Sequence, residues 1–381
     1  MYSLDILGDW LYEKGNPFAQ VQQLTVFEKL KKAVNAGYFE ELIRKYLLEN
    51  PHGCIMTLVP KKGLAAQREK ELEEKLEAYR SSLSEEQLDA MVEKTKALEA
   101  YQEAGEDPKA LECIPMLKRS DIKKEAAKIV NEELTVDNSL FLYHDVCTNG
   151  IGYVDLMFKT DSIAPEQIPY LGLLKSVLGY VDTENYTYGE LFNEINANTG
   201  GINCGVEVFD RADSTEEFQA MFSVRGKALY TKMDFLFKMI GEILNSSKLE
   251  DTKRLYEIVA SVKSRAQVNL TGAGHSTAVL RAAAYSSPMA AFQDEMAGIG
   301  YYQFIEKLEK DFEQRKEETV EELCKLMKEI LRPENFMISY TGERESLEIV
   351  QKLAGAVKAG LGTEPVEKSK EKLTCTKKNE G

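Results

Sequence analysis

The segment 149–158, NGIGYVDLMF, and the apolar run after it at 165–181, PEQIPYLGLLKSVLGYV, decide how this chain is read. In the first, Val154, Leu156 and Phe158 alternate, which puts them on one side of a pleat and predicts a strand. In the second, Ile168, Leu171, Leu174 and Leu178 recur at helical spacing, and Pro165 with Glu166 suits a first helical turn. Working outward, Thr187-x-x-Glu190 is a capping box that opens a second helix, and Gly200–Gly201 ends it. Two strands follow. Ile202, Cys204, Val206 and Val208 share a face of 202–209, as do Phe218, Ala220, Phe222 and Val224 of 218–224. The order strand, helix, helix, strand, strand predicts an α+β fold, a two-layer domain with helices on a mostly antiparallel sheet.

The 381 residues, 43% apolar and 9% aromatic, can supply more than one core. A formal charge of -15 and a pI near 5.0 exclude nucleic acid and an anionic membrane surface as main partners, because neither attracts a net acidic field. Six scattered cysteines form no CxxC pair and no disulfide framework, so reduced thiols and a cytoplasmic location are expected. No apolar run reaches the roughly 18 residues of a membrane helix.

Ahead of the α+β stretch, 26–34 and 39–48 have helical periodicity with Gly37 as a stop between them, and Cys54–Val59 (CIMTLV) is expected to be a strand. A lone strand is unstable, so its sheet must be completed by other polypeptide. Between Lys62 and Glu103, 18 of 42 residues are charged, and two apolar stripes (Leu72, Leu76, Tyr79; Leu88, Met91, Val92, Leu98) flank a capping box at Ser84-x-x-Gln87. This predicts an antiparallel helical hairpin acting as a connector. Further on, strands are expected at 140–146 and 336–340. Helices are expected at 228–244, 250–270 and 346–361, with shorter pieces from 276 to 331 and a Gly-rich break at 272–275.

Chemistry-bearing motifs are absent from the sequence itself. His52, His144 and His275 stand in no metal-ligand spacing and read as structural histidines. There is no GxSxG elbow, and neither Gly200–Gly201 nor Gly272-Ala273-Gly274 extends to a phosphate loop.

The stretches YFEELIRKYLLENPHGCIMTLVP (38–60), SLSEEQLDAMVEKTKAL (82–98), YHDVCTNGIGYVDLMF (143–158), YTYGELFNEINANTGGI (186–202) and GHSTAVLRAAAYSSP (274–288) resemble, in order and spacing, the presequence-protease branch of the insulinase-like (pitrilysin-like) zinc metallopeptidases. That resemblance implies four related α+β domains in two halves, joined by a helical hairpin and closing around a peptide chamber. On this template 1–60 corresponds to the C-terminal part of the second domain and 61–125 to the hairpin linker. Residues 126–361 correspond to a catalytically degenerate third domain, and 362–381 to a linker toward a fourth. The resemblance further implies zinc in the parent enzyme, with the remaining domains of the same polypeptide and peptide substrates as partners.

The family's HxxEH zinc motif belongs to the first domain. Its counterpart here is the helix at 165–181, where LGLLK sets Leu171, Leu174 and Lys175 against two histidines and a glutamate. The whole helix holds no histidine and only Glu166 as a carboxylate, so no catalytic, cofactor-binding or metal residue is carried over. The expectation is a non-catalytic part of a zinc endopeptidase for unstructured peptides, contributing chamber wall and hinge. The alternative is a stand-alone peptide-binding or assembly module of the same fold.

Overall fold

The computed structural model describes residues 2–11, 16–19, 21–126, 128–365, 373 and 375. The rest of the expected 362–381 linker lies outside the described residues. Contacts divide the chain into Met1–Ile122 and Lys123–Gly381.

The first unit is helical: α1 (Tyr2–Trp10), α2 (Leu24–Val34), α3 (Tyr38–Ile43) continuing into a wider helical turn at Arg44–Leu48, α4 (Leu64–Ser81), α5 (Glu85–Glu103) and the single turn α6 (Pro108–Leu111). Gly37 punctuates α2 and α3 at φ 73°, a left-handed conformation that glycine adopts freely. The capping box of α5 is present: the Gln87 N–H donates to Ser84 Oγ (3.3 Å) and the Ser84 N–H donates to Gln87 Oε1 (2.9 Å). Yet no described residue of this unit is buried. Leu72, Leu76, Tyr79, Met91, Val92 and Leu98 stay 41–55% exposed. The two helices of the expected hairpin therefore form without sealing their apolar stripes together.

The strand expected at Cys54–Val59 does not form. Residues 53–60 carry no regular structure, and Ile55 is 97% exposed. A β-strand exists only by hydrogen bonding to a neighbour, and no described residue lies alongside this one.

The second unit is built on a six-stranded sheet. Its elements are β1 (Glu132–Val136), β2 (Ser139–Asp145), β3 (Ile151–Lys159), α7 (Ile168–Val177), α8 (Tyr188–Asn198), β4 (Ile202–Arg211), β5 (Ser214–Leu229), α9 (Met233–Ser246), α10 (Thr252–Gly272), α11 (Gly274–Ala283), α12 (Pro288–Ala297), α13 (Ile299–Lys310), α14 (Phe312–Ile330), β6 (Phe336–Gly342) and α15 (Leu347–Ala359). Strand order is β1-β2-β6-β3-β5-β4, antiparallel throughout except for the β2/β6 pair. The mostly antiparallel two-layer α+β class read from the sequence is observed.

One face of the sheet supplies the core. Phe141, Tyr143, Val154, Leu156, Phe158, Phe222, Val224, Ile338 and Tyr340 are all buried, and they pack with α7, α9, α10 and α12 to α15 in one continuous cluster. The alternate positions, among them Leu140, Tyr153 and Arg225, lie on the opposite, open face.

Two boundaries differ from expectation. The helix expected from Ala228 starts at Met233, because β5 continues through Leu229, with Ala228 opposite Gly152 and Leu229 opposite Ile151. The helix expected to reach Val181 stops at Val177, and Gly179 at φ 85° turns the chain away. Within α7, Gly172 permits a close helix approach: a Cβ there would lie 2.6 Å from the Met296 carbonyl oxygen of α12.

Candidate functional site

Helix α7 is where a metal motif would sit on the sequence template, and its donor set does not fit zinc. Leu171 and Leu174 are 0% and 1% exposed and belong to the core. A hydrocarbon side chain offers no lone pair to a cation, and no cluster of three or more His, Cys, Asp or Glu occurs among the described residues. Lys175, one turn after Leu171, emerges from the core into a cavity of about 480 Å³. Burial lowers its ammonium below the ordinary lysine value.

That cavity is assembled from segments distant in sequence. The C-terminal half of α7 contributes Lys175 and Ser176. Helix α8 adds Phe192, Ile195 and Asn196, the start of β4 adds Ile202 to Cys204, and one face of α10 adds Arg254, Glu257, Ile258, Ser261 and Arg265. The α10 positions recur at helical spacing, which aligns them on one side. Arg254 is fully engaged: it donates to Glu257 Oε2 and to the Tyr180 carbonyl (both 2.9 Å) and lies 4.0 Å from the Tyr188 ring centroid. Lys175 and Arg265 have no hydrogen-bond or ion-pair partner among the described residues. Burial pushes the Cys204 thiol up to about 12, so it is not a nucleophile at neutral pH.

A second concavity, about 440 Å³, lies over the open face of the sheet and is lined by Tyr153, Asp155, Asn203, Arg225, Lys227 and Thr341, among others. Arg225 bridges two carboxylates, donating to Asp155 Oδ2 at 2.8 Å and approaching Glu207 Oε1 at 3.1 Å. Desolvation outweighs the Arg225 contacts and raises the Asp155 carboxyl above the usual carboxylate range. Its Oδ1 is buried without a partner among the described residues. This is a polar, concave surface with no nucleophile–base pair on it.

The histidines are structural where their surroundings are defined. His144 donates from Nδ1 to the Val130 carbonyl (2.7 Å) and accepts at Nε2 from Ser339 Oγ (3.1 Å). His52 lies in the exposed 51–60 segment, and His275 is exposed at the start of α11.

One polar cluster went unanticipated in the sequence. Between the start of β3 and the end of β6, Glu343 accepts from the Tyr230 hydroxyl, from Thr148 Oγ1 and from the Gly150 N–H (3.3 Å each for the last two). Tyr230 above all holds the Glu343 carboxyl down at about 2. A depressed carboxyl contributes stability that is present above its unfolded value, near pH 4.3, and lost as pH falls toward 2. Glu343→Gln is therefore expected to lower Tm at pH 7 and to flatten the loss of Tm between about pH 4 and pH 2. Parallel melting curves across that window would show the opposite.

The model of the family described as peptidase M16 subfamily C associated matches residues 58–308, spanning the helices α4 and α5 and most of the second unit. The chain belongs to this peptidase-associated family.

Among curated relatives, protein HypA of Clostridium perfringens is 34% identical over all 381 residues, which is 100% of this chain and 39% of that protein. Presequence protease 1, chloroplastic/mitochondrial, of Arabidopsis thaliana is 27% identical over 353 residues, 92% of this chain and 32% of the relative. This member of the peptidase M16 family thus spans less than two fifths of either relative. Among solved structures, a protease from Helicobacter pylori aligns with a TM-score of 0.45 at 15% identity, covering 64% of this chain and 54% of that one. A peptidase M16 inactive domain from Pseudomonas fluorescens aligns at 0.42 and 14% identity, covering 63% and 53%.

Proposed function

We propose that this chain is a non-catalytic part of a presequence protease-like zinc metalloendopeptidase that degrades unstructured peptides, and that it forms part of the peptide chamber and the hinge. The observation that carries the reading is α7, whose two positions matched to metal ligands are leucines sealed in the core. Three further features support it. The sheet turns a polar concave face to solvent, as the wall of a peptide chamber would. The first unit leaves its apolar residues uncovered, which suits polypeptide that packs against further domains. Relatives more than twice as long carry the name presequence protease.

In this role the chain binds and encloses substrate, while zinc and the water it activates belong to another domain of the same polypeptide. Enclosure excludes bulk water and organises the site. The six cysteines, none in a disulfide, support a reducing compartment, the cytoplasm.

The test is metal analysis and a peptide-cleavage assay on the chain alone and on the chain co-expressed with the rest of its parent. Turnover only in the second case is the expected result. Stoichiometric zinc with turnover by the chain alone overturns the reading.

A further inference from the structure

The cavity beside Lys175 has a charge imbalance that the fold does not explain. In a chain of net charge -15, its lining holds three cations and a single carboxylate, Glu257, which Arg254 already engages. A partly buried ammonium without a counter-charge is unfavourable by its lost hydration, and nothing among the described residues returns that free energy to Lys175. Lys175 and Arg265 thus present unused donors to one enclosed space.

The rest of the lining says what kind of anion fits. Phe192, Ile195, Ile202 and Ile243 make an apolar wall beside the cations, large enough for a side chain but unsuited to a bare inorganic ion. Along the same wall runs β4, an edge strand bonded only to β5, so alternate N–H and C=O groups on its outer side have no strand partner. Extended backbone beside an edge, an apolar contact and a carboxylate on cations are together the features of a peptide C-terminus.

We propose that this cavity is a binding site for the free C-terminal carboxylate of an extended peptide with an apolar last residue, held by Lys175 and Arg265 and aligned along the edge of β4. The site names a ligand class within the peptide-handling role above, but it rests on the cavity and the edge alone. It requires neither zinc nor cleavage.

Fluorescent tetrapeptides ending in leucine are titrated against the full chain, with polarisation as the readout. The free acid is expected to bind at least about tenfold more tightly than the C-terminal amide, the usual scale for a charge-assisted contact. Lys175→Met removes the charge at similar length and is expected to erase that difference while keeping or raising Tm, because an unpaired, partly buried cation is gone. N-methylation of the peptide backbone is expected to weaken binding further if strand addition aligns it.

Equal binding of acid and amide overturns the proposal, as does undetectable binding of both. So does an acid preference that survives in the folded Lys175→Met chain, or preferential binding of an amidated peptide with an internal glutamate. Because no outcome involves turnover, failure here is separate from failure of the endopeptidase reading, which is judged by zinc content and cleavage.

Discussion

Replacing Leu171 by histidine and Leu174 by glutamate is expected to unfold the second unit rather than to build a zinc site. Both side chains are essentially without solvent contact and sit in the cluster shared by the sheet and its helices. Losing each buried leucine forfeits about 1.5–3 kcal/mol of apolar transfer. Placing a carboxylate there adds several kcal/mol more unless it stays protonated, in which state it cannot serve as a base or ligand. Against a total stability of roughly 5–15 kcal/mol, the sum is close to the whole margin. Lys175 lies four residues after position 171 on the same helical face and would repel an arriving cation. Circular-dichroism melting and zinc titration check this together. Stoichiometric zinc uptake with an unchanged Tm would show that α7 is not a core helix.

That helix also shows what the sequence could and could not disclose. The start of α7 was legible from Pro165, and α8 from its Thr187/Glu190 box, because both signals are local and act through a few adjacent backbone groups. The inward faces of β4 and β5 were legible because burial on one side imposes a period of two. β1 was not anticipated: Glu132 and Glu133 obscure its alternation, although Asp137 and Asn138, at φ 47° and 65°, form the left-handed turn that joins it to β2. β5 was cut short because Gly226, lying against Leu236, breaks the apolar pattern before the strand ends.

Long-range placement was harder still. β6 enters the centre of the sheet from nearly 200 residues after its parallel neighbour β2, and nothing local in FMISY announces that position. The Lys175 cavity was hidden for the same reason. Its cations lie on α7 and α10, and only the packing of those helices beside the β4 edge brings them to one space. At 54–59 the error had the opposite sign: an apolar run met every local criterion for a strand and formed none, since strand structure is conferred by a neighbour.

Asp294→Ala is expected to be the most damaging single substitution in the helical layer, at about 3–5 kcal/mol, the range for removing one partner of a buried charge pair. Asp294 is 0% exposed and pairs with the Arg281 guanidinium. Its two oxygens also accept from the Ile299 N–H (3.0 Å) and the Gly300 N–H (3.2 Å), donors at the first turn of α13 that have no intrahelical partner. One carboxylate therefore joins α11, α12 and the start of α13. Alanine would leave those N–H groups without this acceptor in a place water does not reach, and would take a close negative charge away from Arg281. The cost is not recovered by relaxation around Gly298, where the chain already passes so close to Asp294 that an added Cβ would overlap it. Asp294→Asn keeps the shape and one acceptor, so it is expected to fall between alanine and the parent. Urea unfolding of the three chains orders them directly. Equal midpoints for Asp294→Ala and the parent would mean that the helices α11 to α13 are held together by their apolar contacts alone.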